Sequence, residues 1–303
     1  MTHIVKRVAD LAFATPAEFA GRSVGYSGAA VVDEPAGAVQ MGFRVARLET
    51  GGSVASHVHS FEESVYVLAG ALTLDTPEGS YRLESGDYGL LPVGMTHALR
   101  NASEVVAEFA EMRAPLPRER FGYDTQFVAA PIAAAEPQAI DVRDPRNRYF
   151  GHIAPESMDP TRQTQDRLAV SASMRTALLV YSGITVKMMI DSDQGADLST
   201  MFMVQYEPNG LAGAHDHPLE EAYLILEGEV EASFDGTTHR LGPGDVAWAG
   251  VGCVHSFRNV GKGIVRWLET QAPQPPPRHS YRFARDWSYL ESALAVEAQH
   301  QHH

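Results

Sequence analysis

One set of four ligand-type residues is written twice in this chain at a constant offset. His57, His59, Glu63 and His97 recur as His215, His217, Glu221 and His255, each pair 158 positions apart. The punctuation keeps the same register: Gly52 with Gly210, Gly70 with Gly228, Gly86 with Gly244, Gly94 with Gly252, and Asn101 with Asn259. A lone His-x-His constrains little. Two complete sets framed by turn glycines imply two related domains, each closing a metal pocket around the same donors. At 303 residues, each half is long enough to bury a core of its own.

The text between these markers reads as strands. Phe43, Val45 and Leu48 alternate with polar neighbours, Val65–Leu68 and Leu72–Leu74 follow, and Gly51-Gly52, Gly86-Asp87 and Pro92-Val93-Gly94 punctuate them. The second half repeats the rhythm over Thr200–Tyr206, Tyr223–Leu226, Glu229–Phe234 and Val246–Trp248, with Asp235-Gly236 as a hairpin turn. Short strands with turn signals at this spacing predict an all-β barrel or sandwich. The expected layout is an arm over 1–25 with a short helix within Asp10–Arg22, a barrel over 26–130, and a bridging segment over 131–185. A second barrel over 186–275 and a tail over 276–303 complete it, the tail carrying a helix over Phe283–Ala298 where Trp287, Leu290 and Leu294 recur at helical spacing.

Strand alternation gives the ligand sets a geometry. Two histidines separated by one residue point to the same face. Glu63 begins a second inward row, and His97 arrives on another strand beyond a turn. Three imidazoles and one carboxylate facing a barrel lumen can hold a divalent first-row ion and leave positions open for water or substrate. The donors suit Fe(II), Mn(II), Ni(II) or Zn(II), up to two ions per chain. The bland alternative is packing, since barrel histidines can be satisfied by hydrogen bonds alone. Eight ligand-type residues at matching offsets favour metal.

Gly51-x5-His57-x-His59-x3-Glu63-x6-Gly70, followed by Gly86-x5-Pro92-x-Gly94-x2-His97-x3-Asn101, resembles the two motifs of the cupin superfamily at each position. The second copy departs twice: Gly210 to His215 is one residue short, and Gly250 stands where proline is expected. Neither change touches a ligand. The resemblance implies a bicupin, with two tandem double-stranded β-helix barrels in one polypeptide, and favours iron or manganese. The three-histidine, one-glutamate set is similar to that of flavonol- and enediol-cleaving cupins, which implies a dioxygenase whose substrate oxygens chelate the metal. The overall layout also resembles ureidoglycine aminohydrolase, a bicupin whose ligand pattern is Glu-x-His-x3-His with a later glutamine. Here His215, His217, Glu221 and His255 occupy those positions, which puts that substrate in doubt. A hydrolase or isomerase of small acids, or a non-catalytic metal-binding bicupin, are the other readings. Family habit further implies a homo-oligomer.

Alternation also nominates neighbours. Val65 and Val67 follow Glu63 inward, Tyr223 and Ile225 follow Glu221, and Leu99 and Phe257 accompany His97 and His255. Glu63, Glu221 and Tyr223 are the candidate proton carriers, while Gln205 and Phe257 are candidate substrate contacts. Arg44, Arg47 and Lys187 are strand cations that could meet a carboxylate, although such residues are more often solvated. Glu62 and Glu220 alternate away from the metal. Cys253 is the only cysteine, so no internal disulfide or thiolate cluster forms; a small buried hydrophobe is its default role. A formal charge of −14 argues against nucleic acid or an anionic membrane as partner and leaves a small-molecule substrate. The beginning lacks a secretory pattern, so cytoplasmic residence is the expectation.

Overall fold

The computed structural model describes residues 2–142, 144–162, 176–179 and 182–274. The helix expected over Phe283–Ala298 and the tail histidines lie outside the described residues. The first half contains β1 (His3–Arg7), β2 (Ser23–Val32), β3 (Gly42–His59), β4 (Glu62–Ala69), β5 (Ala71–Thr76), β6 (Gly79–Glu84), β7 (Asp87–Leu91), β8 (His97–Arg100) and β9 (Ala107–Ala114). Short strands β10 (Thr125–Phe127), β11 (Gln138–Ala139), β12 (Phe150–His152) and β13 (Thr176–Leu179) follow. The second half contains β14 (Ile184–Ile190), β15 (Thr200–Tyr206), β16 (Leu211–His215), β17 (Glu220–Glu227), β18 (Val230–Phe234), β19 (Thr237–Leu241), β20 (Asp245–Ala249), β21 (His255–Arg258) and β22 (Val265–Ala272). Helical turns among the described residues are all 3-10.

The 158-residue offset extends to whole strands. β4 and β17 pair with β9 and β22 respectively, and β7 and β20 close the same edges. β3 is continuous and pairs with β9 at its start and β8 at its end. Its counterpart is split into β15 and β16. Pro208 lacks an N–H for the ladder, and Asn209 adopts a left-handed φ of 65°, so the backbone turns there. Gly70 and Gly228 show why the glycines repeat. Each has positive φ, and a Cβ on either would lie 2.3 Å from a carbonyl oxygen, of Val106 and Ile264 respectively.

Period-2 alternation divides the apolar residues among three cores. Leu48, Val65, Val67, Leu72, Leu99 and Phe109 fill the first barrel. Tyr223, Ile225, Phe234, Phe257 and Trp267 fill the second. The opposite strand faces meet between the barrels, where Phe43, Val45 and Met112 pack in one cluster with Met201, Met203, Leu224 and Trp248. Two buried carboxylates clasp this interface reciprocally. Glu62 accepts from the Asp197 and Leu198 amides and Ser199 Oγ; Glu220 accepts from the Val39, Gln40 and Met41 amides. The recipient segments are themselves 158 residues apart, so each barrel holds the other through the same contact.

The arm differs from expectation. Residues 3–7 form a strand that extends the second barrel, with β1 antiparallel to β20 from His3↔Ala249 to Arg7↔Asp245. In place of a helix within Asp10–Arg22 there are single 3-10 turns at Val8–Asp10 and Ala17–Phe19. Pro16 caps the second of these, and residues 3–7 satisfy the otherwise open edge of β20. Part of the bridging segment belongs to the first barrel: β11 pairs with β6 and β12 with β7, while β10, just ahead of it, pairs with β3.

Candidate metal centres

Cross-strand register builds both sites. His57 stands opposite His97 on β3 and β8, and His215 stands opposite His255 on β16 and β21. In each barrel the ladder slips just before the first histidine, between Val54 and His57 and between Ala212 and His215. Such irregularities re-aim the following side chains. Within each triad the ligand nitrogens lie within 4.8 Å of one another. Glu63 Oε2 is 3.0 Å from His59 Nε2, and Glu221 Oε2 is 2.8 Å from His217 Nε2 and 3.3 Å from His255 Nε2. His59 ends β3, where Thr125 covers it from β10; His217 lies beyond β16 in a loop.

The far side of each ring fixes its orientation. Nδ1 of His57, His97, His215, His217 and His255 lies 2.7–3.0 Å from the carbonyls of Ala55, Met95, Gly213, Leu219 and Cys253. His59 Nδ1 is 3.0 Å from Thr125 Oγ1. A ring nitrogen against a carbonyl must donate, so in a neutral ring the Nε2 lone pair is left for a metal. In the first barrel Nε2 of His97 is buried with no hydrogen-bond partner, and that of His59 meets only the Glu63 carboxylate. Burial pushes His57 and His59 well below the ordinary histidine range, lowers His97, and brings His215 down to about 4. His217 goes the other way: burial lowers it, but the Glu221 carboxylate outweighs that and raises it. Glu221 is correspondingly held low by His217 and His255 despite its burial. The positive charge that Glu221 demands can come from a proton or from a divalent cation. Inward imidazoles beside one carboxylate fit a first-row divalent ion in either barrel.

The surroundings of the two triads differ. In the second barrel Tyr223 donates to Glu221 Oε2 and lies 3.1 Å from His255 Nε2, while Gln271 donates to Glu221 Oε1. Behind them Trp267 Nε1 donates to Glu269 at 2.8 Å, and burial together with the Glu221 charge pushes the Glu269 carboxyl well above its ordinary range. In the first barrel Val65 and Arg113 stand where Tyr223 and Gln271 would be. Arg44 and Arg113 are both buried there, Arg44 pairing with Glu111 and with Glu18 at 3.0 Å, while Tyr26 donates to Glu111 at 2.8 Å. One lumen is thus cationic and carboxylate-rich, the other aromatic with a phenol and an amide.

The structure brings together His57, His59, His97 and Glu63, and likewise His215, His217, His255, Glu221 and Tyr223. Phe257 is buried beside Tyr223, with ring centroids 4.8 Å apart. Gln205 is a correction. Phe202, Val204 and Tyr206 take the lumen face of β15, so alternation turns Gln205 outward, where it accepts from Arg266 and donates to Met158 O and Glu207. Arg47 is half-exposed and pairs with Glu108; Arg44 alone of the three strand cations faces a metal site. Cys253 is buried, and burial raises its thiol to about 12. Asn101 is buried and donates to Leu48 O and Val105 O, a structural role. Arg113, Glu111, Gln271 and Glu269 were not singled out from sequence. Counting in steps of two from Phe109 and Trp267 would have placed them in the lumens.

A cupin-domain sequence profile matches residues 44–112 and 202–270, the two segments again 158 residues apart. Protein SchB of Streptomyces halstedii is 35% identical over 94 residues, which cover 30% of this chain and 68% of that protein. Among solved structures, a glyoxylate-induced protein of Pseudomonas aeruginosa aligns with a TM-score of 0.63 at 14% identity, covering 94% of this chain and 92% of its own. An oxalate decarboxylase of Lactobacillus farciminis aligns at 0.61 with 16% identity, covering 96% and 90%. Sequence and fold therefore agree: the chain belongs to the cupin family and, with two cupin domains in one polypeptide, is a bicupin.

Proposed function

We propose that the chain is a metal-dependent enzyme acting on a small, oxygen-rich metabolite, most simply as a dioxygenase, with the second barrel as its reacting centre. The observation that carries this reading is the bonding of Glu221, whose two oxygens are held separately by Tyr223 and Gln271. His215, His217, His255 and Glu221 would hold a first-row divalent ion, Fe(II) or Mn(II) by family habit, which would supply Lewis acidity. Glu221 Oε2 is placed to take the proton from an enolic or phenolic hydroxyl. Tyr223 shares that oxygen and can return a proton to the product. Gln271 pins the other oxygen, and Phe257, Phe234 and Trp267 form an aromatic wall against which a planar substrate can lie.

Arg44 and Arg113 support a second reading, in which the first barrel binds a small carboxylate and the reaction is a hydrolysis, decarboxylation or isomerisation. The two are separable. Oxygen uptake by Fe(II)-loaded protein with catechols, flavonols or enediols, lost in His217→Ala and largely kept in His59→Ala, supports the dioxygenase. No uptake across the panel, with anaerobic release of ammonia or carbon dioxide from a ureido or dicarboxylic acid, replaces it with the second reading. Absence of turnover in every arm leaves a binding protein.

A further inference from the structure

We propose that His3, Asp235 and Cys253 form a third metal site, outside both barrel lumens, for a borderline-soft divalent cation of the zinc class. Their ligand atoms lie within 4.8 Å of one another. They come from three separate segments: the first strand, the tip of the β18–β19 hairpin, and the turn before β21. Each segment is independently pinned. β1 is registered on β20, and the Gly250 amide donates to Thr2 O at 2.8 Å. Asp235 sits at positive φ of 47°, donates its amide to Val254 O at 2.7 Å, and accepts from the Val254 amide at 2.9 Å. The His3 ring stacks on Phe234 with an interplanar angle of 16°.

A second observation points to a ligand. His3 Nδ1 and His239 Nε2 are both buried without a hydrogen-bond partner. The two rings are 5.6 Å apart. A buried, unpaired nitrogen is uncommon; two in neighbouring rings beside a carboxylate and a thiol mark a donor set. Imidazole, carboxylate and thiol are the donors zinc takes, and His239 is the nearest candidate for a fourth position. Coordination releases the thiol proton to solvent.

The site is not part of the duplicated pattern. At the offset of 158, Asp235, His239 and Cys253 correspond to Pro77, Tyr81 and Met95, none of which could replace them. It also lies directly behind a barrel ligand, because the Cys253 carbonyl faces His255 Nδ1 at 2.9 Å. A cation there ties the N-terminal strand to the turn that carries His255, and so acts as a structural metal for the second barrel.

Cobalt titration of the full chain tests this independently of any catalytic role. Cys253 is the sole cysteine, so a thiolate-to-cobalt charge-transfer band can arise at this site alone. The expected result is such a band, saturating at about one ion per chain beyond any bound in the lumens. His3→Ala and Asp235→Asn should each weaken the band's midpoint by about tenfold or more, with circular dichroism unchanged. No band at saturating cobalt overturns the proposal. So does a band whose midpoint is the same in both variants, which would be adventitious binding to the thiol.

Discussion

Replacing Glu62 by alanine should loosen the seam between the barrels by a predictable amount. The carboxylate is 2% exposed and accepts from two backbone amides and one hydroxyl of residues 197–199. Each buried donor stripped of its acceptor costs about 1–3 kcal/mol, and water admitted by the smaller side chain recovers part of that. A net loss of about 3 kcal/mol follows for Glu62→Ala, and a similar loss for Glu220→Ala, which strands three amides. The two carboxylates share no partner, so the double variant should lose roughly the sum. Burial raises both carboxyls above their ordinary range even though the amides pull them down. A folded-state pKa raised in this way adds stability that is complete below the unfolded pKa and fades as pH rises through the folded one. The deficit of Glu62→Gln relative to wild type should therefore shrink as pH rises above the ordinary glutamate range. Urea unfolding followed by tryptophan fluorescence reads this directly, since Trp248 lies in the inter-barrel core. Alanine variants within about 0.5 kcal/mol of wild type would refute the clasp.

Two further outcomes follow. Tyr223→Phe removes the hydroxyl shared between Glu221 and His255, and should lower kcat by about 100-fold with little change in KM; unchanged kcat would leave Tyr223 a packing residue. In chelator-treated protein the imidazoles whose folded pKa is depressed stay neutral while the unfolded chain protonates them. Stability is then complete above about pH 6.5 and is lost as pH falls below it, His215 alone accounting for about 3 kcal/mol by pH 4; a urea midpoint that stays level between neutral and acid pH would contradict this.

Much of the site was legible because its logic is local. His-x-His on a strand and an inward Tyr223 two residues after Glu221 need only period-2 alternation, and the constant offset supplies the second barrel from the first. The same rule also places Gln205 outward, once Val204 and Tyr206 are recognised as the lumen pair. The N-terminal strand was not legible. Its partner is β20, about 240 residues away in sequence, and nothing in His3–Arg7 names that edge. Glu62 and Glu220 were read correctly as pointing away from the metal, but what they clasp depends on how two barrels dock. Arg113 escaped notice because a charged residue in a strand reads as solvated until its neighbours, Arg44 and Glu111, are known to be inside.

Metal content by difference tests the two-centre account most directly. Protein purified without added metal, or reloaded with Fe(II) or Mn(II), is compared with His57→Ala/His59→Ala and with His215→Ala/His217→Ala by elemental analysis. Each pair of substitutions should lower the content by about one ion per chain, and the quadruple variant by about two. Metal content that none of these variants changes would contradict the account.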